Sequence, residues 1–179
     1  MIHSAAIIAI EPNEEALLLR AHFEHLGLDV RMWRLGKPSD LFRALDNKIN
    51  SVDLALLCGH GDERGFIFPE LAPDIDWVKL ANNRLTAQDL DRAVESVPPT
   101  IISTACGTGT SAIANAFAKA GAERFIAPDG YPNGADIPLG ITALVHGVVR
   151  AQLSWKQAIA RANSLVGADS QFRLLARPV

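Results

Sequence analysis

Short apolar runs alternate with amphipathic ones along most of this chain, and that alternation predicts its architecture. Ala5 to Ile10 is a first apolar run, punctuated by Pro12 and Asn13. From Glu14 to Leu26 leucines and Phe23 recur at helical spacing, and Gly27 supplies the stop. Leu28 to Leu35 alternates apolar and polar residues, as an exposed-face or edge strand does. Pro38 to Ile49 reads as a second helix, with Ser39 and Asp40 as capping candidates. Asp53 to Cys58 is a run of apolar residues ending in Gly59-His60-Gly61. Unbroken apolarity means burial on both faces, the habit of a central parallel strand.

Residues 62 to 85 break the rhythm. Gly65 to Phe68 and Trp77 to Leu80, separated by Pro69 and Pro73, read as short strands of an excursion. Thr86 opens a helix through Val97, with Asp89 at capping-box spacing, and Pro98-Pro99 ends it. Thr100 to Ala105 is a fourth strand, and Cys106 stands where it stops. Gly107-Thr108-Gly109-Thr110 then turns into a helix from Ser111 to Ala120. Glu123 to Ala127 is a fifth strand, Pro128 to Pro138 a loop, and two helices (Leu139 to Leu153, Trp155 to Val166) close the pattern. This order predicts an α/β fold: a three-layer sandwich with a mostly parallel central sheet and a small strand excursion after the third strand. Neither a repeat nor a low-complexity segment interrupts it, and residues 1–179 read as a single domain.

Composition narrows the function classes. Apolar residues at 49% and charged residues at 21% are the balance of a globular chain able to build a core without metal or disulfide props. A net charge of −3 argues against a general nucleic-acid binder, which needs a basic face. No run reaches the roughly 20 apolar residues of a membrane span. The start lacks a basic region ahead of its apolar run, so it reads as a strand and not a signal peptide. Two cysteines, Cys58 and Cys106, make no disulfide framework, and a reducing cytoplasmic setting with free thiols is the default expectation.

Candidate chemistry centres on two residues. In parallel sheets ligands bind outside the carboxyl ends of the strands, and His60 and Cys106 both fall there, each beside glycine. A nucleophilic cysteine must reach the thiolate, helped by a histidine or a helix N-terminus. The helix opening at Ser111 is expected to supply the second aid, and His60 the first if its strand lies beside that of Cys106. Gly61, lacking a Cβ, lets its N–H approach a substrate carbonyl and form an oxyanion hole with the Cys106 amide. Other readings stay open: an inert scaffold or sensor in which Cys106 is a small buried hydrophobe, or an anion site at the Gly107–Ser111 turn. The turn lacks the lysine of a phosphate-binding loop, and Cys58 and His60 have no second ligand pair for a metal, so neither metal nor cofactor is expected.

Leu57-Cys58-Gly59-His60-Gly61, followed 46 positions after His60 by Cys106 in Ile101-Ile102-Ser103-Thr104-Ala105-Cys106-Gly107, resembles the paired signatures of caspase-like cysteine peptidases. That group includes caspases, gingipains, legumains, separases and CHAT domains. The stretch from Ala120 to Asn163 is closest in pattern to bacterial CHAT domains, and the likeness covers about residues 50 to 165. The resemblance implies a caspase-like fold and hydrolysis of peptide bonds by a Cys-His dyad, with Cys106 as nucleophile, His60 as acid and base, and Gly61 as oxyanion donor. It further implies a peptide or protein substrate, a possible regulatory partner protein, and a pocket reading a charged or polar residue before the cut. Asp62, Glu63 and Asp129 would favour a basic residue there, and Arg64 and Arg124 an acidic one; the position of Asp129 after the fifth strand tilts the expectation to basic.

Overall fold

A computed structural model describes residues 2–11, 14–72 and 74–176. The central sheet contains β1 (Ser4–Ile10), β2 (Asp29–Leu35), β3 (Leu54–Cys58), β7 (Thr100–Ser103), β8 (Arg124–Pro128) and β9 (Phe172–Ala176), in the order β2-β1-β3-β7-β8-β9. All neighbours run parallel except β9, which pairs antiparallel with β8. A second sheet of three antiparallel strands, β4 (His60–Asp62), β5 (Gly65–Ile67) and β6 (Arg84–Thr86), follows β3 directly. The architecture is therefore the expected three-layer α/β fold with its excursion after the third strand.

Alternation along the buried strands divides the core in two. Ala6, Ile8 and Ile10 of β1, with Ala55 and Leu57 of β3, face α2 (Pro38–Leu45), α4 (Ala87–Ala93) and α5 (Ser111–Lys119). Ala5, Ile7 and Ala9, with Leu54, Leu56 and Cys58, face α1 (Glu14–His25), α6 (Asp136–Val149) and α7 (Trp155–Asn163). Successive side chains of a strand point to opposite faces, so one apolar run supplies both layers. Phe66 and Leu85 of the small sheet are wholly buried in the first core, which ties the excursion to the main body.

The elements depart from expectation in several places. The helix read over Pro38–Ile49 is broken at Asp46, whose amide bonds back to the Phe42 carbonyl while its side chain caps α3 (Asn47–Asn50) at Lys48 N. Ser39 is not the cap of α2; its N–H donates to the buried Asp76 carboxylate at 2.7 Å. That bond holds the excursion against α2, and residues 77–80 form no strand. The α6 helix begins at Asp136, three residues earlier than read, because a proline such as Pro138 is tolerated in a first helical turn. The two final helices do not close the chain: β9 follows them. Elsewhere the capping box of Thr86 with Asp89 is present as expected.

Among the described residues no helix is long and apolar enough to cross a membrane.

Candidate active site

Strands β3 and β7 are neighbours, paired from Leu54↔Thr100 to Leu57↔Ser103, and the Thr104 N–H extends the ladder by donating to the Leu57 carbonyl at 2.9 Å. Their carboxyl ends therefore lie side by side. His60 and Cys106 leave these two ends and line one open cleft of about 510 Å³. Glu11, Glu14 and Glu15 after β1, and Pro132 and Ile137 after β8, line it too. The sheet order reverses between β1 and β3, so the cleft sits at the switch point where open parallel sheets bind ligands.

The cysteine turn is framed by backbone packed on backbone. A Cβ at Gly61 would come within 2.8 Å of the Cys106 carbonyl oxygen and 2.7 Å of the Thr108 methyl. Gly107, at φ +66°, lies flat on the Asp62–Glu63 peptide, where a Cβ would stand 2.7 Å from the Asp62 carbonyl carbon. Gly109 abuts the Pro128 carbonyl, and Gly107 N–H donates to Gly130 O at 2.7 Å. Only glycine permits approaches this close. Within the turn Thr110 N–H bonds to Thr108 O, and the Thr110 hydroxyl caps α5 by accepting from Ile113 N–H.

The α5 helix starts at Ser111, where the sequence placed it, and is capped by Thr110. Burial pushes the Cys106 thiol above its ordinary range, and the Glu15 charge adds to this; its own backbone amide, lying against the sulfur, pulls the other way. Glu15 is itself raised by burial, against the opposing pull of a Thr104 hydrogen bond and of His60, and its Oε1 is buried without a hydrogen-bond partner. Burial, followed by Glu15, pushes Cys58 well up, leaving an inert thiol on the α1 side of the sheet.

Of the acidic residues singled out in sequence, Asp62 and Glu63 sit against the cysteine turn at Gly107. Asp62 accepts from Arg84 Nε at 2.6 Å and pairs with Arg64, which holds its carboxyl low despite its burial. Glu63 accepts a hydrogen bond from Tyr131 at 2.8 Å, and Asp129 lies 3.3 Å from Arg173. None of the three lines the cleft with His60 and Cys106. Arg124 begins β8, at the opposite end of the sheet, with Glu123 and the Trp155 ring as neighbours. Of the carboxylates that line the cleft, Glu14 and Glu15 carry no sequence signal beyond an acidic first helical turn, which helices use routinely, and Glu11 precedes that helix. Glu11 has a further mark, a left-handed φ of 75° in a residue other than glycine. Such strain clusters at functional sites. Among the described residues no group of three or more His, Cys, Asp or Glu is placed to hold a metal ion.

This fold is the caspase-like one. Over 99% of its length the chain superimposes on the Arg-specific cysteine proteinase gingipain R, with a TM-score of 0.67 at 13% identity. It also superimposes on the separase of two Saccharomyces cerevisiae separase–securin complexes, with TM-scores of 0.64 and 0.65 at 12% and 11% identity. The chain spans 46% of the gingipain chain and 12% of the separase chain. No family model matches it, and no curated protein does.

Proposed function

We propose that this chain is a thiol-dependent endopeptidase. What supports this most is that His60 and Cys106 line one open cleft at the carboxyl ends of adjacent strands, in a fold shared with cysteine peptidases. Cys106 Sγ attacks the scissile carbonyl carbon as its proton passes to His60. The resulting oxyanion is held by the amides of Cys106 and Gly61. Collapse breaks the C–N bond, and His60 gives the proton to the leaving amine. Water then attacks the thioester, again through His60, and restores the thiol.

In this mechanism proton transfer to His60 accompanies attack, which suits a thiol pushed up by burial. The cleft carboxylates Glu11, Glu14 and Glu15 favour a basic residue before the cut. Asp62, Glu63 and Asp129 belong in this reading to the frame around the site and not to the pocket. A peptide reporter panel with Arg, Lys, Asp or Leu before the cut tests both parts. Hydrolysis is expected for Arg and Lys, with a loss of at least ~10³-fold in Cys106→Ala and in His60→Ala. Activity unchanged in Cys106→Ala would sink the mechanism.

A second reading has one observation in its favour. The raised Cys106 thiol suits a scaffold or sensor that lacks turnover, or one that waits for a regulatory partner. Separase in the complexes above is bound to securin, a protein partner of that protein. Under this reading Cys106 resists mild alkylation at neutral pH and no reporter is cut.

A further inference from the structure

Behind Cys106 lies a closed ring of hydrogen bonds that the peptidase mechanism does not use. The Thr108 hydroxyl donates to the Ala105 carbonyl at 2.8 Å. A hydroxyl has one proton, so in the 2.9 Å contact between Ser103 Oγ and Thr108 Oγ1 the serine donates. Ser103 Oγ in turn accepts from the Ala105 N–H at 3.1 Å. Donor to acceptor, the path runs Ala105 N–H, Ser103, Thr108, Ala105 C=O. Ser103 and Thr108 are both wholly buried.

The Ala105 carbonyl belongs to the same planar trans peptide as the Cys106 amide, so the two point in opposite directions. Pinning the oxygen toward Thr108 sends the Cys106 N–H the other way, to the thiol side, where it lies against its own Sγ. The Thr108 methyl meanwhile fills the space a Cβ on Gly61 would need, 2.7 Å away. One side chain therefore touches the backbone of both candidate oxyanion donors, through its hydroxyl at Ala105–Cys106 and its methyl at Gly61.

We infer that Ser103 and Thr108 are positioning residues that aim the Cys106 and Gly61 amides at a substrate's developing oxyanion. This rests on the peptidase reading. The amides act only on a tetrahedral intermediate, so carbonyl attack depends on the ring and simple alkylation of the thiol does not.

The test compares wild type, Thr108→Val, Thr108→Ser, Ser103→Ala and the double variant Ser103→Ala/Thr108→Val. Each is assayed for reporter hydrolysis and for alkylation of Cys106 by iodoacetamide. Thr108→Val keeps the methyl and is expected to lower kcat by on the order of 10²-fold with KM little changed, the size of losing one oxyanion donor. Alkylation is expected to stay within about threefold of wild type, since it forms no oxyanion. Thr108→Ser restores the hydroxyl and is expected to recover most of kcat. The double variant is expected to be no worse than Thr108→Val, because members of one ring act as a unit. Hydrolysis unchanged in Thr108→Val overturns the inference, and so does a parallel fall of hydrolysis and alkylation, which marks a merely structural role. A wild type that cuts no reporter overturns the peptidase reading and this inference with it.

Discussion

At the scale of single residues, the placement of His60 and Cys106 just past two strand ends was legible because each stands beside glycine after a buried apolar run. Their surroundings were not. Glu15 in sequence is one of two acidic residues opening an amphipathic helix, and only the fold turns its carboxyl toward Cys106, Cys58 and Thr104. The consequence is testable. Thiolate is the reactive form, so the iodoacetamide rate at Cys106 is expected to rise with pH to a midpoint above that of an ordinary cysteine, about 8.5. Glu15→Gln removes one of the charges that disfavour thiolate, so the midpoint should fall and alkylation at neutral pH should quicken. A pH–rate profile of both proteins checks this; an unchanged midpoint would show that Glu15 is not felt at the sulfur.

At the scale of elements, period and punctuation found most strands and helices but not how they meet. Gly107 and Gly109 looked like ordinary turn residues and Gly61 was read for its approach to substrate, yet each is a point where two backbones touch. Gly107→Ala adds a Cβ against the Asp62–Glu63 peptide at a left-handed φ. It is expected to cost about 1–3 kcal/mol in chemical denaturation and to abolish hydrolysis by displacing the hairpin that carries His60. The β9 strand was missed because the strand–helix alternation calls for no strand after the last helix, and its antiparallel pairing with β8 runs against the rest of the sheet. Phe172 of β9 is buried and lies where a side chain at Gly140 of α6 would go. Phe172→Ala should therefore cost ~3–5 kcal/mol, measured by urea unfolding. Gly140→Ala should destabilise as well, although Gly→Ala within a helix ordinarily stabilises.

At the scale of the whole molecule, the three-layer order followed from the strand–helix rhythm, while the pairing of β3 with β7 is tertiary and needed the fold. Response to acid is also a property of the whole. Burial pushes Asp53 and Asp76 up, but backbone N–H donors prevail: His3 and Ser4 hold Asp53 low, and Ser39 holds Asp76 low. Their stabilisation is complete above the ordinary carboxylate value of about 3.9 and is lost as pH falls through the lower folded values. Burial lowers His22, so its contribution is complete above about 6.5 and shrinks as pH drops toward its folded value. Glu15, raised, opposes this trend weakly, since acid relieves the cost of its buried charge. Tm is expected to be level near neutrality, to slope gently downward below about pH 6.5, and to fall steeply below about 4. His22→Gln should remove the gentle slope and leave the steep one, as Tm against pH would show. The cleft has a property of another kind. Beside it backbone is locked to backbone at glycines, whereas its acidic residues stand on the end of β1 and on α1, a separate stretch of chain. Under the peptidase reading, exchange at Glu11 or Glu14 is expected to alter substrate preference and leave the frame intact, while exchange at Gly61, Gly107 or Gly109 is expected to disturb the frame itself.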